Sequence, residues 1–190
     1  KVYDLIEVEL IKANQNKMLI TGNNSDNVVI NNKNGTLKIK LRLEEAYKGK
    51  GTKVTLYYKN LDIIDANEGA YIYSKDKITQ YSIDLKTQEG AKIETSLNVK
   101  YLNIKATSGG VITASGIAQH QEVTVFTGGI YKGKLLDTKV TNVSINAAGE
   151  AYITVKNKVT AKVRVGGNIF IYGNPVEVDQ NKIIGGQIKI

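Results

Sequence analysis

Eighteen carboxylates, one histidine and eleven tyrosines are the side chains with which this chain could do chemistry, and their spacing limits what that chemistry is. Cleavage of a glycosidic bond needs two carboxyl groups facing each other across one sugar linkage. The candidates in the second two-thirds of the chain are Asp76, Asp84, Glu89, Glu94, Glu122, Asp137, Glu150, Glu177 and Asp179, and they fall at no common phase of the sequence. Glu177 and Asp179 alternate as solvated strand residues do. Asp62, Asp65 and Glu68 gather around one corner, an arrangement suited to a cation or simply to water. His120 stands between Gln119 and Gln121 with no obvious carboxylate partner, the pattern of a solvent-facing loop residue. There is no cysteine, which excludes disulfides, thiolate catalysis and thiolate metal sites. Gly49-Lys50-Gly51 has the glycines of a phosphate cradle, but no helix-forming segment follows it. The residues therefore predict no catalytic site, no metal site and no cofactor.

Tyrosine is the chemically suggestive excess, eleven against two phenylalanines. Tyr71 and Tyr73 should project outward on either side of an inward Ile72, and Tyr131, Tyr152 and Tyr172 occur at comparable phases. An exposed tyrosine on a flat β face offers a ring for stacking and a hydroxyl for hydrogen bonding, which suits glycans and protein partners alike. The bland alternative is that these rings only fill strand positions. The candidate binding patch is Tyr71 and Tyr73 with Asp62, Asp65 and Glu68. The net charge of +8 invites a nucleic-acid partner. The lysines, however, are spread singly among apolar residues, as in Leu37-Lys38-Ile39-Lys40-Leu41-Arg42-Leu43, so they line a solvated strand face. No recognition helix accompanies them, and nucleic acid is not expected as a partner.

The elements that must position these groups are β-strands. Val, Ile, Thr and Tyr dominate the apolar content, period-two alternation is widespread, and helical periodicity is nearly absent. From residue 60 a small-residue mark recurs: Gly69, Gly90, Gly109, Gly128, Gly149, Gly166 and Gly185, at intervals of 21, 19, 19, 21, 17 and 19. Three residues after these glycines stand Ile72, Ile93, Ile112, Ile169 and Ile188. Tyr131 and Tyr152 occupy the other two places, with Ile130 and Ile153 beside them, as if those coils were slipped. A second apolar pair precedes each following mark: Ile83/Leu85, Leu102/Ile104, Val123/Val125, Val143/Ile145 and Val163/Val165. A fixed period of this length marks a solenoid, in which a repeat buries its apolar face only by stacking on a neighbour. The prediction is an all-β, right-handed parallel β-helix over residues 60–190, the hand following the general preference of parallel crossovers. A sandwich of hairpins would also have regular turns, but would not repeat one glycine with one isoleucine. Residues 1–59 hold longer strands, a tight Asn34-Gly35 turn and a flexible 47–51 loop. They are expected to cap or extend the solenoid, and its ends offer a route to a homo-oligomer.

Several segments together resemble the GIN-domain family of auto-transporter adhesin heads, frequent in Bacteroidetes. They are Val54-Thr55-Leu56-Tyr57-Tyr58-Lys59-Asn60-Leu61, the repeated small-Gly-x-Ile marks, Tyr172-Gly173-Asn174-Pro175 and Gly185-Gly186-Gln187-Ile188. The family pattern has proline where Lys59 stands, Gly-Ile-Asn where Leu5-Ile6-Glu7 stands, and aspartate where most marks carry Tyr71, Lys92, Val111, Asn168 or Gln187. The resemblance implies an exported β-helical domain of the cell envelope with no established catalytic activity. No stretch is long and apolar enough for a transmembrane helix. Lys1 opens the chain without methionine, so a mature chain with its export signal removed is expected, in the periplasm or on the outer surface of a Gram-negative cell. The expected function is a non-catalytic adhesin-like module binding a glycan or a protein. The alternatives are a polysaccharide lyase or hydrolase on the same scaffold, or a spacer that binds nothing.

Overall fold

The computed structural model describes all of residues 1–190 and is a β-solenoid of about seven turns. The opening strands are β1 (Glu7–Lys12), β2 (Lys17–Gly22), β3 (Val28–Lys33), β4 (Thr36–Leu41) and β5 (Thr52–Tyr58). Short strands β6 (Ile63–Ala66), β7 (Tyr71–Ser74) and β8 (Ile78–Thr87) begin the regular coils. Four long strands follow: β9 (Lys92–Ala106), β10 (Val111–Val125), β11 (Ile130–Ile145) and β12 (Glu150–Val165). The last coils are β13 (Asn168–Tyr172), β14 (Glu177–Ile184) and β15 (Gln187–Lys189).

Each long strand bends around a corner and so serves two faces. The alternation of buried and exposed residues slips at Lys100-Tyr101 and again at Gln119-His120, where two consecutive residues face outward. The first half of the strand joins a front face and the second half a rear face. On the front face β15, β13, β12, β11, β10, β9, β7, β1 and β5 lie in parallel order, and β2 pairs antiparallel with β5 at the edge. Parallel pairing excludes the sandwich of hairpins. On the rear face Ala66 of β6 is bridged by Val2, and Val2 by Ile39 of β4, whose hairpin partner is β3. Residues 1–58 thus extend both faces of the stack. Asn34 and Gly35 both have positive φ, +51° and +74°, in the β3–β4 turn, as the hairpin signal requires. The 47–51 segment is not a free loop tip: the Gly49 N–H donates to the Asp4 carbonyl, and the buried Asp4 carboxylate accepts from the N–H groups of Leu41 and Tyr47.

Register turns the period into columns of like residues. The front column runs Val54, Val8, Ile72, Ile93, Ile112, Tyr131, Ala151, Ile169, Ile188. The predicted isoleucines are its members; all are buried except Ile188 on the last rung, which is half-buried. Three expectations are corrected. Tyr131 does not project outward but fills the ladder, fully buried, and in the next coil the ladder residue is Ala151, leaving Tyr152 outside. The rear column that begins Ile83, Leu102 continues through Gln121, Thr141 and Val159, not through the apolar residues two places later. Val165, expected inward, is 52% exposed, because the inward residues of that coil are Ala161 and Val163.

The glycine marks have two separate physical causes. Glu68-Gly69, Glu89-Gly90, Ser108-Gly109 and Thr127-Gly128 are paired left-handed residues at the centre of tight turns, each closed by an N–H to carbonyl bond of 2.9–3.1 Å. The next residue, two places before the ladder, is Ala70, Ala91, Gly110 or Gly129, and later Gly149, Gly167 or Gly186. Here the limit is space. A Cβ on Gly129 would collide with the Ala106 carbonyl of the rung below, whereas one on Gly128 would meet nothing.

Two stability predictions follow from this geometry. Ile112→Ala, in mid-column with a rung on each side, should lower unfolding free energy by about 2–5 kcal/mol; an unchanged denaturation midpoint would remove Ile112 from the ladder. Gly128→Ala should cost only the left-handed penalty of about 1–2 kcal/mol, while Gly129→Ala should destabilise more, since it drives one rung off the next. Equal midpoints for the two variants would show that the mark is a matter of φ alone.

Candidate functional site

The outer faces carry two groups of side chains with the chemistry of a binding surface. The first is centred on Tyr71 and Tyr73, which flank the inward Ile72 on β7 as expected. Their rings stack on each other, centroids 5.2 Å apart at 23°. The neighbouring rungs satisfy both hydroxyls: Tyr71 donates to Glu94 Oε2 at 3.1 Å, and Tyr73 donates to Glu7 Oε1 at 3.2 Å while accepting from Lys53 Nζ at 2.9 Å. Lys53 also reaches Glu9 at 2.8 Å, and Lys75 reaches the other oxygen of Glu9 at 2.9 Å. Hydrogen bonds from Lys53 and Lys75 hold the Glu9 carboxyl down at about 2, and the bond to Glu9 raises Lys53 above the usual lysine range. Burial, followed by the Glu94 carboxylate, pushes the Tyr71 phenol up to about 12. The patch is thus a set of fixed, charge-assisted contacts with half-buried rings.

The three acids predicted to join the tyrosines sit elsewhere. Asp65 is buried, forms an ion pair with Lys1 at 2.9 Å and accepts from the Asn67 amide. Glu68 lies in the left-handed turn, its carboxyl raised first by burial and then by Asp4. Asp62 is exposed at the rim of an apolar cavity of about 250 Å³ that opens between the hairpin and the first rungs. No hydrogen bond or ion pair connects any of the three with Tyr71 or Tyr73.

The second group was not read from the sequence. Tyr81, Tyr101 and His120 lie at one corner of three successive coils and are all exposed. Tyr101 and His120 stack with centroids 5.0 Å apart at 17°, Tyr81 tilts onto Tyr101 at 5.4 Å, and Lys100 lies over both tyrosines. His120 is therefore a strand residue with an aromatic neighbour, not a loop histidine. Beside the corner runs a row in strict register: Asp84, Asn103, Glu122, Asn142, Thr160, Asp179. Three of the carboxylates that had no common phase, Asp84, Glu122 and Asp179, do share one row here, because the spacing between rungs varies. They alternate with amides rather than face one another. A third aromatic set, Tyr152 stacked on Phe170 at 4.6 Å, stands on the front face.

A parallel β-solenoid whose outer rows carry aromatic and hydrogen-bonding side chains is a class of protein built to present surfaces. The sequence matches the model of the family described as "Putative auto-transporter adhesin, head GIN domain" over residues 1–175, and the chain belongs to that family. A solved structure from Bacteroides fragilis, named a "putative adhesin", is similar with a TM-score of 0.88 and 18% identity, covering 100% of this chain and 92% of that one. Another "putative adhesin", from Parabacteroides merdae, gives 0.76 at 18% identity over 100% of this chain and 90% of its own. A Parabacteroides distasonis structure named a "putative lipid binding protein" gives 0.68 at 16% identity, over 99% and 92% of the two chains. At such identities the likeness concerns the fold. None of the curated proteins matches the sequence.

The Glu9 network predicts a pH dependence. Its carboxyl ionises at about 2 when folded against 4.5 for the free side chain, so its contribution to stability is complete above about 4.5 and is lost as pH falls from there towards 2. Urea denaturation at successive pH values should give a shallower decline for Glu9→Gln in this window. Identical declines would show that the lysines do not hold Glu9.

Proposed function

We propose that this protein is a non-catalytic module, exported to the periplasm or outer surface of a Gram-negative cell, that binds a glycan along the outside of its solenoid. The observation that carries the reading is the set of aromatic rings standing outward on flat faces in register with polar side chains, Tyr71 and Tyr73 above all. Rings on a flat sheet give a polymer stacking area without enclosing it, and aromatic anchors commonly dominate such contacts. The adhesin description of the family agrees with this use. No helix is long and apolar enough to cross a membrane.

A second reading draws on the apolar cavity beside Asp62, lined by Val8, Leu10, Ile39, Leu56, Ile64 and Ile72. Its size suits one short alkyl chain or a small apolar ligand, and one of the similar structures carries a lipid-binding name.

A single screen of polysaccharides, envelope proteins and fatty acids separates the two. Under the first reading the wild type binds a polysaccharide, and replacing both Tyr71 and Tyr73 with alanine weakens binding about tenfold or more with the fold intact. Binding of fatty acids alone would replace it with the second reading, and unaltered glycan binding in the double variant would dismiss this pair of tyrosines.

A further inference from the structure

The corner at His120 has the form of a site for one sugar unit. Between the aromatic corner and the polar row lies a shallow cleft of about 260 Å³, walled by Tyr101, His120 and Val140 on one side and by Asn103, Glu122 and Asn142 on the other. Tyr101 supports one face of the imidazole. The other side of the imidazole looks towards the rung of Val140, the register neighbour of His120, and the exposed imidazole and Val140 line the cleft together.

The polar wall is selective in what it offers. Asn103 donates its amide to Asp84 Oδ1 at 2.8 Å, and Asn142 donates to Glu122 Oε2 at 3.1 Å. Each bond uses one N–H of an amide, so each asparagine keeps a second N–H and its carbonyl oxygen, and Glu122 keeps its second carboxylate oxygen as an acceptor. In this row Asp84 is paired with a lysine, Lys86 at 3.3 Å, whereas Glu122 has only the Asn142 amide. A carboxylate without a cationic partner, set between two amides, matches a ligand that donates hydrogen bonds, such as sugar hydroxyls or an ammonium group. It opposes uronate or sulfate, although the whole chain carries a net +8.

The row continues over six rungs from Asp84 to Asp179, about 24 Å at the usual strand spacing of about 4.8 Å. A chain of pyranose rings running along the solenoid axis would meet a hydrogen-bonding side chain at each rung, with the cleft as its one stacking point.

We propose that the cleft between His120 and Glu122 holds one pyranose ring of an extended neutral or amine-bearing glycan, stacked on His120 and donating hydrogen bonds to Glu122, Asn103 and Asn142. This assignment rests on the glycan-binding reading above and names the site and ligand class for it.

The test titrates isotope-labelled protein with three probes: short β-linked glucose oligomers, chitosan oligomers and oligogalacturonates. Amide shifts are expected around residues 101–103, 120–122 and 140–142 with the first two probes and not with the third. His120→Ala should weaken binding about tenfold or more, and Glu122→Gln should remove the preference for chitosan over glucose oligomers while leaving the latter bound. Both positions are exposed, so thermal unfolding should match the wild type. If both variants bind as well as wild type while the Tyr71/Tyr73 variant does not, the glycan reading stands and this cleft is wrong. Preference for oligogalacturonate would overturn the donor argument. If wild type binds no saccharide, or only an envelope protein, the site and the glycan reading fall together.

Discussion

Everything in this structure depends on parallel strands stacked in register, one rung about 4.8 Å above the next. A residue in such a stack has its counterpart directly above and below, so choices made in one coil bind its neighbours. Inside, the front column accepts isoleucine or valine on nearly every rung, since a β-branched side chain packs against its own kind on a pleated surface. At the turns before Ile72 and every later rung, backbone approaches backbone so closely that the place two residues before the column holds only alanine or glycine. The two requirements recur together, which is why a glycine mark and an apolar residue travel at a fixed distance.

One region of the interior departs from apolar stacking, and its chemistry shows how the departure is contained. Tyr131 takes the place of an isoleucine, and its ring occupies the space over Gly133, where a Cβ would collide with it. The next rung answers with the small Ala151. The phenol is fully buried, which pushes its pKa upward and keeps it neutral. It accepts a hydrogen bond from the Gln121 amide. Thr138 donates to the Thr154 carbonyl at 2.8 Å and accepts from Thr141 at 2.7 Å, and the Thr141 hydroxyl oxygen lies 3.3 Å from Gln121 Oε1. A buried polar group costs little when its partners are present and much when they are absent. The network therefore acts as one unit, and it ties the tyrosine rung to the rungs on either side.

Outside, the same register has a different consequence. No packing demand selects the outward residues, yet stacking still lines them up into rows. Oppositely charged neighbours meet across rungs, as Lys53 meets Glu9, and amides meet carboxylates, as Asn142 meets Glu122. Aromatic rings that would be isolated on an ordinary surface become stacks. A solenoid thus converts scattered side chains into linear arrays, the shape a polymer ligand can use.

The sequence by itself determined the architecture, the repeat, and most of the inward residues of the front face, because these obey strict local rules of period and turn conformation. Ile72, Ile93, Ile112 and Ile169 were legible as a column, and Asn34-Gly35 as a turn. It also placed Tyr71 and Tyr73 outward, since alternation around a buried Ile72 leaves no other choice. Gln121 and Thr141 were passed over on the rear face because polar residues do not read as core, and the nearest apolar pairs lie two places away with the same alternation. Only the tertiary structure decided the row of Asp84, Glu122 and Asp179 and the stack of Tyr81, Tyr101 and His120. Neighbours in these rows are about twenty residues apart, and rung lengths differ by one or two. At a period-two surface an uncertainty of a single residue moves a side chain to the opposite face.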